Sequence, residues 1–222
     1  MLPNFDRRFW GALNVRKLLC VIVLAAMTSG CALTTDTIDV PYVSTSPATP
    51  VAGASTETVA IAATDGRTTY RDRVGTKKNG YGMEMAPIVA SKDIPQSVAD
   101  AIQQELTAEG YKIGPGHAQL TIEVVKFYND FKAGFFAGDA VADVALNVKV
   151  VGPGNELIYA KYYEASGVEP NIQIASGENA RAALIKAFGN VIHSVVSDAA
   201  LQQAIQKAQQ TPTAGAARPQ TS

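Results

Sequence analysis

QLTIEVVKFYNDFKAGFFAGDAVADVALNVKV, residues 119–150, decides the fold of this 222-residue chain. Toward each end of this stretch, apolar and polar side chains alternate along the chain. The apolar members are Leu120, Ile122 and Val124 in the first half and Val144, Leu146, Val148 and Val150 in the second. A period of two with one polar side is typical of antiparallel strands that are covered on one face. The pattern therefore predicts a long hairpin in a sheet with one buried face.

Two amphipathic helices are predicted on either side of this hairpin. The first begins at Asp93, which can cap it together with Gln96, and Gly110 is placed to end it. Its apolar face repeats every four residues: Val98, Ile102 and Leu106. The second extends from about residue 176 to residue 196 with a continuous apolar stripe, and a short helix capped by Asp198 follows it.

The remaining strand patterns are shorter. One covers residues 59–67, a second lies around Ile88 with Pro87 inside it, and a third follows the hairpin around Ile158. A proline inside a strand favours an edge position. The resulting order, β-β-α-β-β-β-α, predicts an α+β fold, with a mostly antiparallel sheet and two main helices packed on one of its faces.

The N-terminus has the three parts of a secretory signal: basic residues up to Lys17, a short apolar run at residues 18–27, and small residues before Cys31. Three alternatives compete with this interpretation. A membrane-spanning helix needs roughly 20 apolar residues, about twice this run. The others are an ordinary secretory signal, in which Cys31 is incidental, and a buried helix of a cytosolic fold.

Small residues followed by a cysteine resemble the lipobox of bacterial lipoproteins. The resemblance implies that the chain is cut before Cys31, whose thiol carries acyl chains such as palmitate and anchors the protein without a spanning helix. In Gram-negative lipoproteins, Asp after the lipidated Cys commonly retains the protein at the inner membrane. Here that residue is Ala32, which predicts an outer-membrane anchor with the domain facing the periplasm.

Composition divides the chain into four parts. Residues 1–30 are the predicted signal peptide, and residues 31–56 the lipidated cysteine and a flexible tether rich in Thr, Ser, Pro and Ala. Residues 57–208 are predicted to form a single α+β domain, and residues 209–222 a disordered tail. The mature chain would carry 15 basic and 19 acidic residues, with no basic run to support binding to nucleic acid.

Several of these features together resemble the YajG-type family of uncharacterised Gram-negative lipoproteins. They are the lipobox around Cys31, the Asp65-Gly66-Arg67 turn, and the helix that ends in ELTAEGY at residues 105–111. The long hairpin and the final Ala-rich helix complete the resemblance. It implies an envelope lipoprotein of unassigned biochemical role, and it supplies no catalytic residues.

Groups for catalysis are scarce in the predicted mature domain. It has two histidines, His117 in a turn and His193 on the polar side of the last helix, and its one cysteine would be lipidated. Neither histidine has metal-ligand spacing, and no phosphate-binding loop or nucleophile motif is present. We therefore expect no metal, no cofactor and no enzymatic activity.

Asp65 and Arg67 form a candidate ion pair because they follow a predicted strand. Two interpretations stay open. In the first, the two residues form an ion pair that faces a ligand. In the second, Asp65 is a turn residue and the pair is a solvated or sheet-end salt bridge, a common arrangement.

An aromatic cluster lies toward the tip of the predicted hairpin: Phe127, Tyr128, Phe131, Phe135 and Phe136. If exposed, Phe131, Phe135 and Phe136 would form an interaction patch. If folded back over the sheet, the same rings would complete the core.

The sequence as a whole predicts a non-catalytic, lipid-anchored periplasmic module that binds another envelope protein. The alternative is a lipoprotein that binds an amphiphile or a glycan in a pocket between sheet and helices. An enzyme is the least favoured class.

Overall fold

Three helices and eight strands make up the part of the chain that the structure, a computed structural model, describes: residues 33–45, 47, 49–56, 58–134 and 137–210. The chain from Thr35 onward forms one compact unit. The strands are β1 (Asp36–Ile38), β2 (Thr58–Asp65), β3 (Gly75–Lys78), β4 (Glu84–Ala90), β5 (Lys112–Ile113), β6 (Ala118–Lys132), β7 (Gly138–Val151) and β8 (Leu157–Ile172). The helices are α1 (Ile94–Ala108), α2 (Gly177–Val196) and α3 (Ala199–Gln210).

All eight strands belong to one mixed sheet built around β6. On one side β6 pairs with β7, which pairs with β8, and this is the predicted hairpin with its following strand. On the other side β2 and then β5 adjoin its first half, while β3, β4 and β1 adjoin its second half.

The α+β class is confirmed, but the prediction of a mostly antiparallel sheet is wrong. Within the described residues, four of the seven strand pairs are parallel: β1–β4, β2–β5, β2–β6 and β3–β6. The predicted order also lacks β1, β3 and β5. The alternating sequence pattern predicts only the antiparallel hairpin. Parallel strands are joined by long stretches of intervening chain, so their pairing cannot be seen in the local sequence.

The sheet forks along β6. Strand β2 ends where Asp65 pairs with Val124, and β3 begins where Gly75 pairs with Asn129. The loop between them, residues 66–74, closes the fork, since Gly66 N donates to Val124 O at 3.0 Å and Asn129 N donates to Val74 O at 2.8 Å. The β6–β7 register shifts at the same place, so the fork coincides with a bulge.

The predicted buried faces are confirmed. Val144, Leu146, Val148 and Val150 on β7 and Val98, Ile102 and Leu106 on α1 are all fully buried. Asp93 caps α1 by accepting from Gln96 N at 2.9 Å. Gly110, just beyond the end of this helix, has a φ of +103°, a conformation that favours glycine.

Helix α2 packs closely against β8 at Gly167. A Cβ atom at this position would lie 2.3 Å from Ala183 O and 2.4 Å from Ala187 N. A side chain would therefore push the helix off the sheet, and glycine is required for this approach.

Much of the predicted flexible tether is folded, so this prediction is wrong for part of residues 31–56. Strand β1 pairs with β4, and its Asp36 accepts hydrogen bonds from Gly177 N and Lys77 Nζ, both at 2.9 Å. Val40 and Ala54 are buried. The apolar residues of this segment are too few to form a periodic pattern, so the sequence did not predict its folding. In the structure they pack against the helices.

Strand β1 also overturns the edge position predicted for the strand around Pro87. Strand β4 lies between β1 and β3, and β1 is the edge strand on this side. At the other end of the chain, α3 continues to Gln210, beyond the predicted domain boundary. The remainder of the predicted tail lies outside the described residues.

Candidate functional site

The structure places only some of the predicted site residues. Cys31, Phe135 and Phe136 lie outside the described residues. Phe131 and Phe127 are buried in the core, so Phe131 does not form an exposed patch, and that part of the prediction is wrong. Beyond the bulge, alternate residues of β6 face the helices, which turns both rings inward.

Asp65 and Arg67 form the predicted ion pair at the end of β2. The guanidinium Nε donates to Asp65 Oδ1 and Nη2 donates to Asp65 Oδ2, each at 2.9 Å. The Arg67 backbone N–H also donates to Oδ1, at 3.1 Å. The side-chain bonds from Arg67 hold the pKa of the Asp65 carboxyl below its usual range.

Arg67 uses its remaining donors to shape the loop at the fork. Nη1 donates to the carbonyls of Tyr70 and Arg73, both at 3.3 Å, and Nη2 donates to that of Arg71 at 3.1 Å. With the two bonds to Asp65, these bonds engage all five N–H groups of the guanidinium. The side chain is only 7% exposed. This geometry supports the salt-bridge interpretation, because no N–H group of Arg67 is left for a ligand.

A small cleft lies between this loop, the end of β4 and the start of α1. It encloses about 160 Å³. The cations on its rim are already paired with carboxylates: Arg71 with Asp65, Arg73 with Asp72, and Lys92 with Asp39. Paired charges and a small volume do not favour an amphiphile in this cleft.

The two histidines and the acidic side chains do not form a metal-binding group in the described part of the chain. His117 and His193 are both exposed, as the sequence predicts. The described residues contain no group of three His, Cys, Asp or Glu side chains that could hold a metal ion.

Tyr128 follows the inward-facing Phe127 on β6, so its ring lies on the side of the sheet away from the helices. We give the name tyrosine surface to five residues: Tyr128 with Tyr70 and Arg73 beside it, and Tyr81 and Met83, the exposed residues of the β3–β4 hairpin. Tyr70 stacks on Tyr128 with ring centroids 4.4 Å apart, and the Arg73 guanidinium lies 6.0 Å from the Tyr70 ring. The hydroxyl groups of Tyr128 and Thr76 are 3.0 Å apart, and this hydrogen bond fixes the Tyr128 ring.

The hairpin between β3 and β4 carries the other two members of this surface. Asn79 Oδ1 accepts from the backbone N–H groups of Tyr81 and Met83, both at 3.0 Å, so the turn is ordered. Tyr81 is nonetheless 91% exposed and Met83 57%. An ion pair between Lys78 and Asp130 ties the hairpin to β6.

One signal for this hairpin is present in the sequence. Tyr81 lies between Gly80 and Gly82 in a polar loop. A large ring flanked by two glycines in a polar loop has few neighbours in sequence to pack against, so its exposure could be expected from the sequence.

Two buried glutamates lie on α1 and just beyond it. The segment of residues 40–54, which we call the N-terminal strap, packs near both. Tyr42 OH donates to Glu105 Oε1 at 2.7 Å, and Val51 N donates to the Glu109 carbonyl at 2.9 Å. Glu109 Oε2 is buried and accepts no hydrogen bond from any described residue. Burial, with a smaller contribution from the charge of Glu105, raises the pKa of Glu109 to about 7.

The raised pKa of Glu109 predicts that the protein loses stability as pH rises. The folded state favours the protonated Glu109 carboxyl. The stability that this preference contributes is fully present below pH 4.5 and is lost by about pH 7. One pKa unit corresponds to about 1.4 kcal/mol, so the loss could approach about 3 kcal/mol. Glu109→Gln should remove this dependence in urea unfolding measured from pH 5 to pH 8. Glu156→Gln, at an exposed position, is the control and should keep it.

Comparison with known proteins identifies the family. Residues 44–206 match the family model described as "Uncharacterized lipoprotein" (Lipoprotein_16). The chain belongs to this family. It is 28% identical over 196 residues to the uncharacterized lipoprotein YajG of Escherichia coli K12, with 86% of this chain and 97% of YajG covered. YajG of E. coli O6:H1 matches with the same figures. The YajG-type resemblance is therefore confirmed.

A solved structure shares the fold. It is a protein from Xanthomonas campestris that belongs to the family DUF330, with a TM-score of 0.58 and 14% sequence identity, covering 79% of this chain and 99% of that one. In the described part of this lipoprotein, no helix has both the length and the apolar character needed to cross a bilayer.

Proposed function

We propose that this lipoprotein is a non-catalytic module of the Gram-negative envelope, anchored by acyl chains on Cys31, whose tyrosine surface binds another envelope protein. The observation that carries the proposal is the combination of order and exposure at the β3–β4 hairpin. Tyr81 and Met83 face solvent on a turn that Asn79 holds in place. Exposed large apolar side chains that are grouped together mark sites of interaction with other molecules.

The composition of the tyrosine surface suits a protein partner. Tyr and Arg are enriched among the residues that dominate protein–protein binding energy, and Met is enriched at interfaces. The Tyr70–Tyr128 stack and the fixed turn also lower the entropy lost on binding, because these groups are ordered before the partner arrives.

The alternative, binding of an amphiphile in a pocket between sheet and helices, has less support. The cleft beside Asp65 is small, and charged side chains make up much of its lining. A pocket for a lipid-like ligand would be larger and mostly apolar.

The proposed anchor predicts a simple fractionation result. Cys31→Ser should remove the acylated thiol, so the protein should leave the membrane fraction or keep an uncleaved signal, with a corresponding change in mature mass. Cys20→Ser is the matched control, because Cys20 lies in the apolar part of the predicted signal. Density-gradient separation of the two membranes tests the outer-membrane location suggested by Ala32. If Cys31→Ser has wild-type mass and fractionation, the anchor is not at Cys31.

The proposed binding surface predicts a position-specific crosslink. A photoreactive amino acid at Tyr81 should give a discrete product with a second protein in intact cells. Position 174, also exposed, serves as the control on the β8–α2 connection. Tyr70→Ala should weaken the crosslink at position 81 by about 10-fold or more, as for a binding hot spot. It should leave the melting temperature almost unchanged.

Three outcomes distinguish the candidate functions. The same crosslinked product from positions 81 and 174 would mean that the crosslink comes from non-specific contact with an abundant protein and not from a binding surface. A lipid or glycan adduct at position 81 would mean that this surface contacts a lipid or a glycan and not a protein. The absence of any product at position 81 in cells where the protein reaches the membrane would contradict a role for this surface.

A further inference from the structure

Strand β8 has one long edge without a neighbouring strand in the described part of the chain. It is 16 residues long and pairs with β7 alone. From Tyr159 to Glu169 the pairing continues without a register shift, so the backbone groups of alternate residues point away from β7. Ser166 and Val168 belong to this outward set, because their carbonyls accept from Asn190 Nδ2 at 3.1 Å and Lys186 Nζ at 2.8 Å.

Helix α2 therefore closes one half of this edge and leaves the other half open. By the same alternation, Ala160, Tyr162 and Glu164 direct their backbone N–H and C=O groups outward. No described residue bonds to these groups, and all three residues are exposed, Tyr162 by 50%. An open row of backbone donors and acceptors is a template for another strand.

The open half is also held in place from its inner side. Asp198 Oδ2 accepts from Lys161 Nζ at 2.6 Å, from Tyr163 OH at 2.9 Å and from Tyr159 OH at 3.1 Å. Its Oδ1 caps α3 by accepting from Ala200 N at 2.8 Å. These bonds hold the open half of the edge in place before any strand is added, which lowers the entropy cost of pairing.

We propose that two copies of this lipoprotein pair antiparallel along the open half of β8, about a two-fold axis through Tyr162. Tyr162 then lies opposite Tyr162 of the second copy, and Ala160 lies opposite Glu164 in both directions. These are three hydrogen-bonded pairs, each with two N–H···O bonds. The inference is independent of the tyrosine surface and of its partner.

Charge and existing bonds select this register over its neighbours. Moving the axis by one residue to Lys161 would place two lysines opposite each other, which is unfavourable. Moving it to Tyr163 would leave only two hydrogen-bonded pairs that do not use Ser166, whose carbonyl already accepts from Asn190. With the axis at Tyr162, Lys161 lies opposite Tyr163 of the second copy, and this pair is compatible because Lys161 Nζ already lies 4.9 Å from the Tyr163 ring within one chain.

The interface is short, so the dimer should be weak in dilute solution. Two copies on one membrane meet at a high effective concentration, which favours pairing there. The test is therefore made on the full-length protein in its membrane.

Tyr162→Cys places identical thiols opposite each other at a separation that suits a disulfide. Mild oxidation of membranes should convert most of this variant to a covalent dimer. Val168→Cys, on the same face but at the closed half, should give little, since two such residues would lie roughly 40 Å apart across the pair. The wild type shows any background from Cys31.

Equal dimer yields from Tyr162→Cys and Val168→Cys would overturn the proposal, because random collision would then explain both. A Tyr162 thiol that reacts with maleimide but forms no dimer would overturn it as well. A mixed disulfide with a different protein would also overturn the proposal, because the partner of this edge would then be another protein and not a second copy.

A proline at the axis supplies a second measurement. Tyr162→Pro removes an outward N–H group without breaking a bond to β7, so folding should be retained. When membranes are treated with an amine-reactive crosslinker, this variant should give few dimers, whereas the wild type and Tyr162→Ala should both give dimers, with a lower yield for Tyr162→Ala because one ring pair is lost. Equal dimer yields from the wild type and Tyr162→Pro would contradict pairing through this edge.

Discussion

Arg67→Met is expected to lower the free energy of unfolding by about 3–5 kcal/mol, the range for breaking a buried ion pair from one side. The substitution leaves the Asp65 carboxylate without its bidentate partner. It also leaves the carbonyls of Tyr70, Arg71 and Arg73 without the donors that draw the loop closed. Urea unfolding at pH 7 measures the loss.

Arg71→Met is the matched control. Arg71 contacts the same carboxylate at 3.5 Å, but its side chain is 63% exposed. Exposed pairs contribute about 0–1 kcal/mol, so the control should lose little. Arg67→Lys should fall between the two, because an ammonium group cannot match the planar set of acceptors. If Arg67→Met and Arg71→Met lose the same amount, Arg67 does not organise the fork.

Phe188→Ala is expected to cost about 3–5 kcal/mol, as for other buried aromatic rings. Phe188 is fully buried on α2 and contacts two rings edge-on, Tyr42 of the N-terminal strap at 5.5 Å and Phe127 of β6 at 5.7 Å. The ring therefore joins the strap, a helix and the sheet. A cavity here would loosen all three, which urea unfolding would record as a lower midpoint.

His193→Ala is the control for Phe188→Ala, since His193 lies exposed on the same helix. It should change the free energy of unfolding by less than about 0.5 kcal/mol. Deletion of residues 36–45 should also destabilise the protein, because it removes β1 and Tyr42. A deletion variant as stable as the full chain would mean that β1 and the first part of the N-terminal strap do not contribute to the core.

The candidate sites were predictable only where they depend on neighbours in sequence. The Asp65–Arg67 pair joins residues two positions apart at the end of a strand, so the sequence suggests it. The other three carbonyls bound by Arg67 come together only when the loop closes the fork of the sheet. Their arrangement decides between a ligand-facing pair and a structural one, and no local pattern contains it.

The aromatic cluster shows the same limit. Residues 127–136 contain several rings, but the bulge at Val124 and Lys126 sets which of them face the helices. One extra residue in a strand moves every side chain that follows it to the other face of the sheet. The tyrosine surface could not be predicted either, because Tyr70 and Tyr128 are 58 positions apart in sequence and meet only when the strands pair.

By itself, the sequence determined the α+β class, the hairpin of β6 and β7, the N-terminal cap of α1, and the buried faces of α1 and α2. These elements follow from contacts within a few residues, which leave a period of 2 or 3.6 in the chain. Only the tertiary structure decided the fork along β6, the parallel neighbours of β6, the folded strap and the half-open edge of β8. Each of these depends on surfaces brought together from distant parts of the chain. Their stability comes from burial and backbone bonding at those surfaces, which local periodicity does not record.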